Sequence, residues 1–251
     1  MSRAEDISEL RGRLANAIEE FKLREGAIAQ ELDGSTRAIL ERPTRRFLVD
    51  RFLQALDWDV ENPRSVREEA RARTAKAERL YFDYIGLHPG DTVPALLVEA
   101  KAVDAPTPRR GRQATLTPWA TSVLLAEAIN TIKRKETPVL IADWIEFLRD
   151  LSTYVQSLPD PEGKLHRVMI TSGKWVIVFE DPVSTFCGTT IADENKIHCL
   201  LGFDDIVANS QLLYDLIYRP RLVDVLPPVI EVQKAISILR GAAMIVSQGM
   251  V

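Results

Sequence analysis

The chain has 251 residues and a mass of 28.2 kDa, enough for one domain with a sizeable core or one domain with helical additions. Apolar residues make up 46% and charged residues 27%, which excludes wholesale disorder. The 32 basic and 36 acidic residues leave a net charge of −4, which argues against a histone-like nucleic-acid binder but not against a local basic face. No apolar run approaches the roughly 18 residues of a transmembrane helix, and the polar, acidic start does not read as a signal peptide. The two cysteines, Cys187 and Cys199, make neither a disulfide framework nor a cysteine zinc site, so a reducing cytoplasm is the expected compartment, with no membrane partner.

Leu10, Leu14, Ala17, Ile18, Phe21, Ile28 and Leu32 recur at three- and four-residue steps and predict an amphipathic helix over 5–32, ended by Asp33-Gly34. A second helical region covers about 36–57, with a kink or restart at Pro43. Residues 64–80 are dense in Arg and Glu and read as a solvated helix or an exposed segment. Tyr81 to Leu87 and Val93 to Val103, joined by turn residues, predict a β-hairpin. The loop 105–112 carries Arg109, Arg110 and Arg112, and helical patterns occupy about 117–136 and 140–157. Strands are expected at 167–171, 175–179 and 197–201, then helices from 204, broken by Pro220 and by Pro227-Pro228. Trp58, Trp119, Trp144 and Trp175 sit in apolar text and read as core. The order predicts an α/β or α+β sandwich with a mixed central sheet flanked by helices. Its expected parts are an N-terminal helix 1–34, a body 35–203 and a C-terminal helical packing or subunit-contact region 204–251.

The chemistry concentrates in Leu96-Leu97-Val98-Glu99-Ala100-Lys101. Alternation along a strand puts Glu99 and Lys101 on one side and Leu96, Val98, Ala100 and Ala102 on the other, towards the core. Asp83, on the partner strand of the hairpin, comes close to Glu99. Two converging carboxylates suit a hard cation such as Mg²⁺, with Mn²⁺ as a substitute, and a neighbouring lysine can orient an attacking water. The bland alternative is a solvated Glu99–Lys101 pair on an edge strand. Between residues 101 and 135 seven basic residues face two acidic ones, Asp104 and Glu127. Arg109, Arg110, Arg112, Lys133 and Arg134 are the candidate phosphate contacts of a DNA-binding face, with a solvated, disordered loop as the alternative. His88, His166 and His198 are scattered and read as structural.

Asp83 with Glu99-Ala100-Lys101 resembles the PD-(D/E)xK nuclease signature, and the surrounding text resembles the N-terminal nuclease domain of type I restriction enzyme R subunits and related restriction proteins. The matching text is Glu41-Arg42-Pro43-Thr44-Arg45, then a leucine-rich stretch to Asp57-Trp58-Asp59. Asn62-Pro63 through Glu68-Glu69 and Thr171-Ser172-Gly173-Lys174-Trp175 match in turn, over about 41–180. The resemblance implies a PD-(D/E)xK restriction-endonuclease-like core and a Mg²⁺-dependent DNA endonuclease of restriction or antiviral defence. Glu41 would be a helix-borne acid helping to hold the metal or its waters, Asp83 and Glu99 ligands, and Lys101 the water-orienting cation. The chain departs from the pattern at Asp57, where the family has glycine, and at Ser172, where it has asparagine. It departs again at Asp150, where a glutamine is expected four residues before Tyr154. Ser172-Gly173-Lys174 lacks the spacing of a phosphate loop, so an ATP-driven motor is not expected within these residues. A homo-oligomer, or a separate sensor or ATPase subunit, is the expected protein partner. The alternative is a catalytically inactive nuclease fold used for nucleic-acid binding or assembly with such a subunit.

Overall fold

A computed structural model describes residues 2–31, 44–73, 79–89, 94–112, 116–158 and 164–223. Leu32, Asp33-Gly34, Glu41, Pro43 and the helix expected after Pro227-Pro228 lie outside the described residues. The architecture is a six-stranded mixed sheet, in the order β1 to β6, with helices on both faces. The strands are β1 (Val66–Arg73), β2 (Arg79–Leu87), β3 (Pro94–Ala100), β4 (Arg167–Thr171), β5 (Val176–Phe179) and β6 (Ile197–Leu200). β3 and β4 run parallel and every other neighbouring pair antiparallel. A parallel pair needs a crossover, and the two long predicted helices supply it, as α3 (Pro118–Lys133) and α4 (Ala142–Ser157).

The expected hairpin of β2 and β3 is present, as are the strands at 167–171, 175–179 and 197–201. The segment 64–80 is not a helix where it is described: it begins as β1, paired along its length with β2, and Arg64, Arg67 and Glu68 are exposed as expected. The sequence carries a partial period-two signal, Ala70 and Ala72 alternating with Glu69, Arg71 and Arg73, which Glu68 interrupts on the side of Val66. Charged side chains suit a strand at the sheet edge, where they discourage pairing with a second chain.

Two apolar layers sandwich the sheet. On one face lie α1 (Arg3–Glu31), α2 (a π-helical turn Arg45–Val49 running into the α-helical Asp50–Ala55) and the helices after β6. Leu10, Leu14, Ala17, Ile18 and Phe21 of α1 are buried there with Leu48, Leu53, Val98, Met169, Leu213 and Ile217. The predicted stripe is thus satisfied within the chain from Leu10 to Phe21, and each buried leucine contributes about 2 kcal/mol. On the other face α3 and α4 bury Leu124, Leu125, Ile129, Trp144, Leu148, Leu151 and Val155 against Leu97, Ile170, Ile177 and Phe179. Among the described residues no helix is long and apolar enough to cross a membrane.

Of the four tryptophans, Trp58, Trp144 and Trp175 are core, but Trp119 is 57% exposed because it lies on the outward side of the first turn of α3. Asp57 has φ +62°, a left-handed conformation that aspartate adopts more readily than most residues and glycine most readily of all. Its carboxylate accepts a hydrogen bond from Arg13 at 2.6 Å, so it both turns the chain and anchors α1. The next residue, Trp58, donates to the carbonyl of Ile217 at 2.8 Å and packs on Gly86, where a Cβ would come within 2.5 Å of the indole.

Candidate functional site

The site begins with register. Tyr84 pairs with Val98 across β2 and β3, so the next position places Asp83 opposite Glu99. Directly opposed residues share a face, and Asp83 and Glu99 follow Ile85 and Leu97 onto the α3/α4 side. Glu99 thus takes the place of an apolar residue at the C-terminal end of β3. Asp83 Oδ2 accepts the backbone N–H of Ala100 at 2.8 Å, which pins the carboxylate across the strand pair. Its Oδ1 faces Arg45 of α2 at 3.0 Å. Lys101 follows the strand, its N–H donating to the Thr171 carbonyl at 2.7 Å, and its ammonium donates to Glu99 Oε1 at 2.7 Å. The four side chains are only 12–17% exposed. Glu99 and Lys101 are therefore not a solvated edge pair: β3 is an interior strand and α4 roofs the pair.

The roof adds chemistry. Phe147 lies under the Lys101 ammonium, 4.4 Å from ring centre to nitrogen. One turn on, Asp150 senses Lys101, and burial pushes its carboxyl above the usual aspartate range, with Lys101 opposing and Glu146 adding to the rise. A further turn on, Tyr154 packs on Phe82 at 4.8 Å between ring centres. Burial raises the Tyr154 phenol, and the negative fields of Glu99, Asp150 and Asp83 raise it further. Asp83, Glu99, Lys101, Asp150 and Tyr154 therefore form one electrostatic unit, in which three carboxylates face the cations Arg45 and Lys101.

Buried polar contacts hold the surroundings. Thr44 is buried and its Oγ1 accepts the N–H of Val103 at 3.0 Å, tying the start of α2 to the chain just beyond Lys101. Trp175 and Trp144 donate their indole N–H groups to the consecutive carbonyls of Ala105 and Pro106, at 2.8 and 2.7 Å. The basic loop thus leaves the site from a fixed base. The turn Thr171-Ser172-Gly173 seats on α2. Gly173 has φ +78°, and a Cβ there would fall 2.1 Å from Leu48 Cδ2, so both conformation and contact require glycine.

The predicted basic face divides. Arg109, Arg110 and Arg112 are exposed, Arg110 with an ion pair to Glu127 at 2.6 Å. Lys133 lies at the far end of α3, where its ammonium donates to the carbonyls of Ser184 and Thr190 at 3.1 and 2.6 Å. Arg134 pairs with Glu136 at 3.2 Å.

Asp83 and Glu99 offer hard oxygen donors side by side, the ligand type that Mg²⁺ or Mn²⁺ takes with only one or two carboxylates. Among the described residues no group of three or more His, Cys, Asp or Glu side chains gathers closely enough to hold a metal on its own. The donor chemistry fits such an ion, with water or substrate oxygens completing the shell. No protein family, no curated protein and no solved structure matches this chain.

Three participants were not assigned from the sequence: Arg45 as the partner of Asp83, Phe147 beneath Lys101, and Asp150 as an acid within reach of Lys101. The one local signal was the four-residue step between Asp150 and Tyr154, which puts them on one face of α4. The pairing of Arg45 with Asp83 had none.

Proposed function

We propose that the chain is a metal-dependent endonuclease of the PD-(D/E)xK kind that hydrolyses DNA phosphodiester bonds, in restriction or antiviral defence. The observation that carries this reading is the opposition of Asp83 and Glu99 on one face of β2 and β3, with Lys101 2.7 Å from Glu99. Strand alternation and packing do not require a carboxylate and an ammonium there. Asp83 and Glu99 would hold Mg²⁺ or Mn²⁺, and Glu41 would contribute from outside the described residues. When bound, such an ion supplies Lewis acidity at the phosphoryl group and lowers the pKa of coordinated water.

The chain's own residues do the rest. Ala100, through its N–H, fixes one oxygen of Asp83 and leaves the carboxylate a single orientation. Phe147 and Glu99 hold the Lys101 ammonium at the end of β3, where it can orient a water and stabilise charge developing on a phosphate. The low exposure of the cluster strengthens each of these interactions. Arg109, Arg110 and Arg112 would meet flanking phosphates.

The test is cleavage of duplex DNA by the purified chain in Mg²⁺. Glu99→Gln and Lys101→Ala should each lower the rate at least about a hundredfold while the circular dichroism spectrum is retained. Undiminished cleavage in both variants would sink the site assignment.

A second reading has its own observation: both carboxylates already carry a cation of the chain, Arg45 on Asp83 and Lys101 on Glu99. In that reading the fold binds nucleic acid, or assembles with a sensor or ATPase subunit, without cutting. DNA binding with no cleavage in Mg²⁺ or Mn²⁺, alone and with such a partner, would favour it.

A further inference from the structure

We propose that Arg45 is a stored phosphate-binding cation: it neutralises Asp83 in the resting site, yields that carboxylate to a divalent metal, and turns its guanidinium to the substrate phosphate. This rests on the metal-dependent nuclease reading and assigns a residue to it.

The pairing is specific. Arg45 lies 3.0 Å from Asp83 Oδ1, and the other oxygen of that carboxylate is committed to the Ala100 N–H. An incoming cation must therefore compete with Arg45 for Asp83. The guanidinium also has somewhere to remain when it lets go. It lies over the Tyr84 ring, 5.3 Å from its centre, and hydrogen-bonds the Tyr84 side chain, whose hydroxyl donates to Asp50. The backbone of Arg45 is equally constrained, because buried Thr44 is tied to Val103. The exchange thus asks for rotation of the Arg45 side chain alone, with the start of α2 held by Thr44.

Charge bookkeeping points the same way. A metal on Asp83 and Glu99 makes Arg45 surplus there, and an incoming phosphodiester brings the negative charge that restores balance. A guanidinium suits that exchange, since its fork matches carboxylate and phosphate oxygens equally well.

The experiment measures two affinities on the full chain: Mn²⁺ by isothermal titration calorimetry, and a short DNA duplex by fluorescence anisotropy in Ca²⁺. The proteins are wild type, Arg45→Gln, Arg45→Lys and Asp83→Asn. Arg45→Gln should bind Mn²⁺ about tenfold more tightly, because its competitor is gone, and DNA about tenfold more weakly. Arg45→Lys, which preserves charge and carries the test if the glutamine variant does not fold, should tighten Mn²⁺ binding several-fold and recover part of the DNA affinity. Mn²⁺ affinity unchanged or weakened in both Arg45 variants overturns the proposal and leaves the nuclease reading standing. If Asp83→Asn binds Mn²⁺ as wild type does, the metal site itself is wrong and this inference falls with it.

Discussion

Two regions of the molecule set acids against bases around the sheet, and they are not alike. One is the cluster of Asp83, Glu99, Arg45 and Lys101. The other is an open cleft of about 660 Å³ on the far side, lined by His166, Arg167, Glu180, Asp181 and Lys196 among others. Both hold an arginine and a lysine opposite two carboxylates. In the cleft, Lys196 meets Asp181 at 3.0 Å and His198 meets Glu180 at 3.0 Å, but the side chains of Lys196, Asp181 and Glu180 are 40–42% exposed. Asp181 also accepts from the Ser184 N–H at the start of the short helix Pro182–Phe186, so its charge is committed to a helix end. The cleft is open to water, whereas the cluster at the end of β3 is withdrawn from it, and there each charge acts at higher strength.

The largest effect that could break this contrast is energetic. Lys101→Ala leaves Glu99 poorly hydrated beside Asp83, and should cost about 3 kcal/mol in urea denaturation. Replacing both members, Glu99→Leu with Lys101→Met, should restore most of that loss. The same cycle on Asp181 and Lys196 should show no measurable coupling. Equal couplings at the two places would mean that burial does not separate them.

A smaller effect is expected at the base of the basic loop. Trp175→Phe removes the donor to the Ala105 carbonyl and should cost about 1–2 kcal/mol. Amide exchange should then quicken around 105–112, next to the site, and not around the cleft. Uniform quickening would mean that the indole supports the whole core instead.

Acidity sharpens the comparison further. Burial raises Asp150 above its unfolded value, so the stabilisation it gives is present at low pH and is lost as pH rises through the folded pKa. Asp150→Asn should therefore gain melting temperature relative to wild type as pH rises from the ordinary aspartate range. A relative loss as pH rises would show that attraction to Lys101 outweighs burial. The smallest effect belongs to the cleft: Lys196→Ala should leave the melting temperature unchanged within error, since its ammonium is in water.

Much of this was legible in the text. Period-two alternation identified β2 and β3, and the step from Glu99 to Lys101 placed both beyond the apolar face. Turn residues at 88–91 fixed the approach of Asp83. Where the text misled, a second force decided. The charges of 64–80 resembled a solvated helix, yet an open sheet edge supplied hydrogen-bond partners. Trp119 reads as core by composition, yet its position on the first turn of α3 turns it outward.

Sequence alone determined most of the strands and helices, because their periodicity depends on neighbours a few residues apart, while β1 needed the edge of the sheet. It also determined that an acid and a lysine stand together at the C-terminal end of β3. Only the tertiary structure decided that Arg45 answers Asp83, that α4 lays Phe147, Asp150 and Tyr154 over the pair, and that two indoles fix the loop beyond. Those contacts join residues far apart in the chain, and their geometry follows from how helices settle on both faces of the sheet.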